Sequence, residues 1–140
     1  MNKGFSLIEV LVFTAVLGSF FVAAMAVATF NLKNMKIQEH KILAARYAEE
    51  GVEWVRQEKE ADWPVFINHN AGGYCLNSLG WNPPCGENYD LGTPAFFKRE
   101  LTIAKSGSPT DQVEGAVTVT WKEGSNSFDV TVKTVLKPLE

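Results

Sequence analysis

The chain is poor in the residues from which most catalytic and metal sites are built. Its 140 residues include two cysteines and two histidines. His40 and His69 stand in no nucleophile or metal-ligand pattern. No Cys-x-x-Cys pair accompanies them, and no glycine-rich phosphate loop follows a strand. Neither an enzyme nor a bound cofactor or metal is expected. There is no Lys/Arg block, and the formal net charge is −3, which argues against coating a nucleic acid. Nor does the chain have the low hydrophobicity of a disordered one, since Trp, Phe and alternating Val fill its second half.

Charge is missing altogether from Val10 to Phe30, a run of 21 residues. At helical rise this spans roughly 31 Å, the thickness of a bilayer's hydrocarbon core. The run exceeds the 7–15 residues usual for the apolar part of a secretory signal. Small residues over Ala23–Ala28 nevertheless leave signal-peptidase cleavage near Ala26–Ala28 open. A soluble core helix is disfavoured, because only about 110 residues remain to surround it. Glu9 stands at the start of the run. A carboxylate at the centre of a membrane helix costs on the order of 2.5–3.5 kcal/mol, so such residues usually have a function. Reaching back to the headgroup region is the alternative.

The residues around Glu9 form an ordered motif. Gly4-Phe5-Ser6-Leu7-Ile8-Glu9-Val10-Leu11-Val12, behind the leader Met1-Asn2-Lys3, resembles the cleavage and methylation motif of type IV prepilins. The resemblance implies a cut between Gly4 and Phe5 and N-methylation of Phe5 by a prepilin peptidase/methyltransferase. It also implies a role for Glu9 in assembly, through attraction to the Phe5 amine of a neighbouring subunit in a low-dielectric bilayer. Gly4 suits a protease site because no side chain obstructs its extended backbone. Many major pilins carry proline about where Ala26 stands. Its absence here, with only Gly18-Ser19 as a weak spot, points to a minor subunit. Lys33, Lys36 and Lys41 after the run would by themselves favour the reverse membrane orientation. The motif and the cysteines point instead to a C-terminal domain outside the cytoplasm.

Residues 31–61 contain no proline and many helix formers. Met35, Ile42, Ala45, Ala48, Val52 and Val55 recur on one helical face, with Leu43, Tyr47 and Trp54 in a second row. Glu49, Glu50, Glu53 and Glu58 are expected to face outward or toward neighbours, and His40 to be solvated. Trp63-Pro64 ends the pattern, so one helix is expected from about Phe5 to Asp62. Ala44–Arg56 is similar to the post-membrane helix of minor pilins and pseudopilins.

From Trp63 to about Pro94 the chain is rich in Asn, Gly and Pro, which is loop chemistry. So long a loop needs a staple. Cys75 and Cys85, an even pair outside the cytoplasm, read as one disulfide that stabilises by roughly 2–3 kcal/mol. Three alternating stretches follow: Phe97, Arg99, Leu101 and Ile103; Val117, Val119 and Trp121; Phe128, Val130 and Val132. Alternation implies an antiparallel sheet with one dry face, and the long helix is the available cover. Gly124–Ser127 is a suitable hairpin connection between the last two.

The expected fold is therefore α+β and pilin-like, a long N-terminal helix packed on a small antiparallel sheet. Its segments are a leader at 1–4, a transmembrane half-helix at 5–31, an amphipathic half at 32–62, a stapled loop region at 63–95 and a β-meander at 96–140. The resemblance implies a structural subunit of a bacterial type IV pilus, with the minor role favoured. Its partners would be other pilin or pseudopilin subunits, the processing peptidase, an inner-membrane assembly platform and membrane lipid, with no specific nucleic acid. It would reside in the inner membrane, single-pass, and then in a pilus or pseudopilus at the cell surface. A pseudopilin of type II secretion, a DNA-uptake pilus subunit and a non-polymerising anchored binding domain are the alternatives.

Overall fold

Helix formers without an interior proline give one long element, α1, a 55-residue helix over Leu7–Ala61. The computed structural model describes residues 6–69, 72–105 and 112–138. At Asp62 the backbone leaves the helical region (φ −157°, ψ 94°), and its carboxylate accepts the Val65 N–H at 3.0 Å. Trp63-Pro64 therefore does not open a loop directly. It starts a second one-turn helix, α2 (Trp63–Phe66), whose first turn tolerates Pro64 because no helical partner is needed there.

The chain divides into two units, at Glu39 and His40. In the first, large apolar side chains such as Leu7, Phe13, Phe20 and Phe30 are all exposed. This part of α1 is long and apolar enough to cross a membrane. Its hydroxyls are satisfied within the helix: Thr14 donates to Leu11 O at 3.0 Å, Ser19 to Val16 O at 2.8 Å and Thr29 to Ala26 O at 2.9 Å. Internal satisfaction is what a helix surrounded by hydrocarbon requires.

The second unit is α+β. Four antiparallel strands, β1 (Gly73–Cys75), β2 (Phe97–Lys105), β3 (Val113–Glu123) and β4 (Asn126–Leu136), lie in the order β1-β2-β3-β4. Register puts Arg99 opposite Val119 and Val119 opposite Val130. The β3–β4 connection is tighter than the four residues expected, because β4 already begins at Asn126. Gly124 makes this possible at φ +62°, a left-handed conformation that glycine adopts freely.

The dry face of the sheet packs against α1, where Ala44, Ala48, Gly51, Val52 and Val55 are buried. This face is rotated from the expected one. Ile42 is exposed, as is Met35 in the first unit, and Ala45 is only half-buried. Size accounts for the difference: Ala44, Ala48 and Gly51 allow close backbone approach, whereas the periodicity weighed apolarity alone. Leu101, Val117, Val119 and Trp121 form the opposing layer, fully or almost fully buried. Phe128, Val130 and Val132 are only half-buried, because β4 is the sheet edge.

Candidate functional site

Ser6 O starts α1 by accepting the Glu9 and Val10 N–H groups at 3.0 and 3.2 Å. Glu9 thus lies in the first turn, exposed, and is the one charged residue between Lys3 and Lys33. Free N–H groups and the helix dipole favour a carboxylate there by about 0.3–1 kcal/mol. Gly4 and Phe5 lie outside the described residues. What the first unit's part of α1 presents beyond Glu9 is an exposed apolar surface, with Leu11, Val12, Phe13 and Val16 all more than half exposed.

In the second unit the structure joins Cys75 to Cys85 in a disulfide, with Cα atoms 4.7 Å apart. The bridge ties the end of β1 to a loop that is further fixed by pairing between Cys75 and Asn82. Beside it, Arg99 near the start of β2 is 1% exposed, a buried charge. Its guanidinium donates to Leu76 O through Nε (3.1 Å) and Nη2 (2.8 Å). Its Nη1 donates to Tyr47 O and to Glu50 Oε2, both at 2.8 Å. Asn77 Oδ1 accepts the Arg99 N–H at 2.7 Å, and Arg99 O accepts the Leu76 N–H at 2.9 Å. One side chain therefore ties α1, the stapled loop and β2 together. A buried guanidinium is tolerable because several acceptors satisfy it.

Several side chains expected to be free are engaged. Glu50 pairs with Arg99, and Glu58 Oε2 accepts the Trp81 Nε1–H at 2.8 Å. His40 is not solvated: its Nδ1 lies 2.6 Å from Glu123 Oε1, and its ring packs 4.7 Å from Phe96. The helical stretch around His40 is polar, but the end of β3 folds over it. His69 stacks on Trp81 at 3.9 Å with planes 8° apart, and its buried Nδ1 has no hydrogen-bond partner among the described residues. Among the described residues no group of three His, Cys, Asp or Glu side chains could hold a metal. On the outer sheet face, Lys122 Nζ contacts Glu87 at 2.7 Å and lies 5.0 Å from the Tyr89 ring centre. Hydrogen bonding and attraction from Lys122 hold the Glu87 carboxyl below its ordinary value, and Glu87 raises Lys122 in return.

Comparison with family models, curated proteins and solved structures gives no match. The described geometry thus offers two distinct features. One is a helix terminus with a lone acid at the head of a bare apolar surface. The other is a small domain held by Arg99 and a disulfide.

Proposed function

We propose that this chain is a prepilin-like structural subunit, anchored by the first part of α1, cleaved after Gly4, N-methylated at Phe5 and polymerised through its N-terminal helix. A minor pilin of a bacterial type IV pilus is the favoured form, with type II secretion and DNA-uptake pseudopili as variants of the same machine. The observation that carries the reading is Glu9, a single carboxylate at the head of 21 uncharged residues and inside the Gly4–Val12 motif. The exposed apolar surface of α1 supports it, because such a surface needs lipid or neighbouring helices to cover it. In the membrane an unpaired carboxylate is penalised, and pairing with the Phe5 amine of a neighbour in the correct axial register removes that penalty.

The test separates assembly from folding. Glu9→Gln removes a charge from the membrane helix, so the monomer's membrane abundance should hold or rise. Its incorporation into filaments should fall sharply, and Glu9→Asp should be partly defective. Wild-type incorporation of Glu9→Gln would favour a non-polymerising anchored domain instead.

A further inference from the structure

The two edges of the sheet differ. On one side β1 has three residues, whereas on the other β4 has eleven and pairs with β3 along its whole length. No proline, glycine or bulge interrupts β4. A long regular edge is a template for a further strand unless charge or an irregular backbone blunts it. Asp129 and Lys133 are the only charged residues in β4. On its α1 side, Val130 and Val132 remain half-buried.

Backbone parity fixes which groups this edge offers. The β3–β4 hairpin closes on Glu123 and Asn126 around two residues. The closing pair of such a hairpin exchanges both backbone hydrogen bonds, and bonded and non-bonded pairs alternate from there. Ser127, Asp129, Thr131, Lys133 and Val135 therefore turn their N–H and C=O groups outward. All five side chains are exposed, on the face away from α1.

A second copy of β4 laid antiparallel must set these outward residues against one another. Centred on Asp129 or on Lys133, the pair would oppose like charges, which is destabilising. Centred on Val130 or on Val132, it would face both charges with uncharged residues. Centred on Thr131, it sets Asp129 of each copy against Lys133 of the other. The same register places Val130 against Val132 twice, continuing the apolar row across the junction. Asp129 makes no ion pair of its own among the described residues, and Lys133 keeps one exposed contact, 3.3 Å to Glu114. An ammonium has three donors, so Lys133 can lie between Glu114 and the incoming Asp129.

We infer that β4 is a self-recognition edge, on which two copies pair antiparallel about Thr131 to make one continuous sheet. A two-fold axis through the sheet reverses every direction lying in it, so residues 40–61 of the two copies run opposite ways. The contact therefore joins copies two at a time and strings no neighbours along one filament. It concerns the second unit alone and does not rest on the proposed polymerisation.

Sedimentation of the full-length chain in detergent tests the pairing. The wild-type chain should show a concentration-dependent monomer–dimer equilibrium. Asp129→Lys and Lys133→Asp should each weaken self-association about tenfold or more, because each sets like charges opposite at two places. Mixed together, these two variants should dimerise as well as wild type, since each then meets the opposite charge on the other. Thr131→Cys, on the two-fold, should give a covalent dimer upon oxidation, whereas Ser127→Cys, facing Val135 of the other copy, should not. The native cysteines are joined to each other and do not compete. A wild-type chain that stays monomeric, single variants that dimerise undiminished, or a mixture that stays monomeric overturns the inference. Ser127→Cys cross-linking as readily as Thr131→Cys overturns it too, and this arm needs no change of charge.

Discussion

Arg99 passes beneath α1 at Gly51, where the helix has no side chain. A Cβ built on Gly51 would lie 3.1 Å from Arg99 Cδ and 2.9 Å from Val117 Cγ1. Val117 is stiff and fully buried, so it cannot move aside cheaply. Gly51→Ala gains about 1 kcal/mol of helix propensity but overpacks this contact, which typically costs 1–3 kcal/mol. A net loss of about 1 kcal/mol is expected in urea unfolding of the protein. A stabilised variant would show that the helix–sheet contact is looser than described.

Removing Arg99 should cost more. Arg99→Met keeps the volume but strips Leu76 O and Tyr47 O of their charged donor. Breaking such a buried network by removing one partner is expected to cost about 3 kcal/mol. Arg99→Lys should recover only part of this, because an ammonium cannot reproduce the guanidinium's several donors at fixed angles. Chemical denaturation of the three proteins, compared at the same pH and salt, gives the ranking.

Reducing Cys75–Cys85 should loosen residues 76–84 and their surroundings. The closed loop is short, with a sequence separation of 10, so the loss is about 2–3 kcal/mol in the chain-entropy view. Leu76 stays held through its amide and carbonyl by Arg99, which limits the damage. Hydrogen exchange should rise within the loop upon reduction and remain slow at Val117 and Val119. Uniform acceleration across β3 would contradict this division.

The surface pair Glu87–Lys122 sets the sign of one pH effect. The Glu87 carboxyl is held below its ordinary value by Lys122, so whatever stability the pair contributes is present at neutral pH. It is lost as pH falls through the lowered folded-state value. Both groups lie in solvent, so salt should screen the effect. Lys122→Met should return the Glu87 titration, followed by NMR, toward the ordinary carboxylate range. An unchanged Glu87 titration would show that the contact is not maintained in solution.

Much of this fold was legible because its signals are local. The uncharged run from Val10 to Phe30 and the proline-free stretch before Trp63 follow from local composition, and the three alternating strands from side-chain period. The inward position of Arg99 was readable too, as a charged residue between Phe97 and Leu101 in a dry row. Its purpose was not, because its acceptors lie on Tyr47, Glu50 and Leu76, far away in sequence. The same holds for His40, whose polar neighbours suggested solvent until Glu123 arrived from 83 residues away. β1 escaped notice because three residues carry no readable period. The rotation of the buried helix face shows that a row of small residues can outweigh a more apolar one where two backbones must approach. At the candidate site, Glu9 was identifiable as the one charge at the head of the run.

Processing of the N-terminus separates the readings of this chain most directly, and intact mass measures it. Expressed with a prepilin peptidase, the mature protein should lack Met1–Gly4 and carry one added methyl group on Phe5. Gly4→Ala should be cut less efficiently, since any side chain there crowds the extended backbone. A mature chain beginning at methylated Phe5 is the predicted result. A chain that still begins at Met1, or one that begins just after Ala26–Ala28, would contradict it.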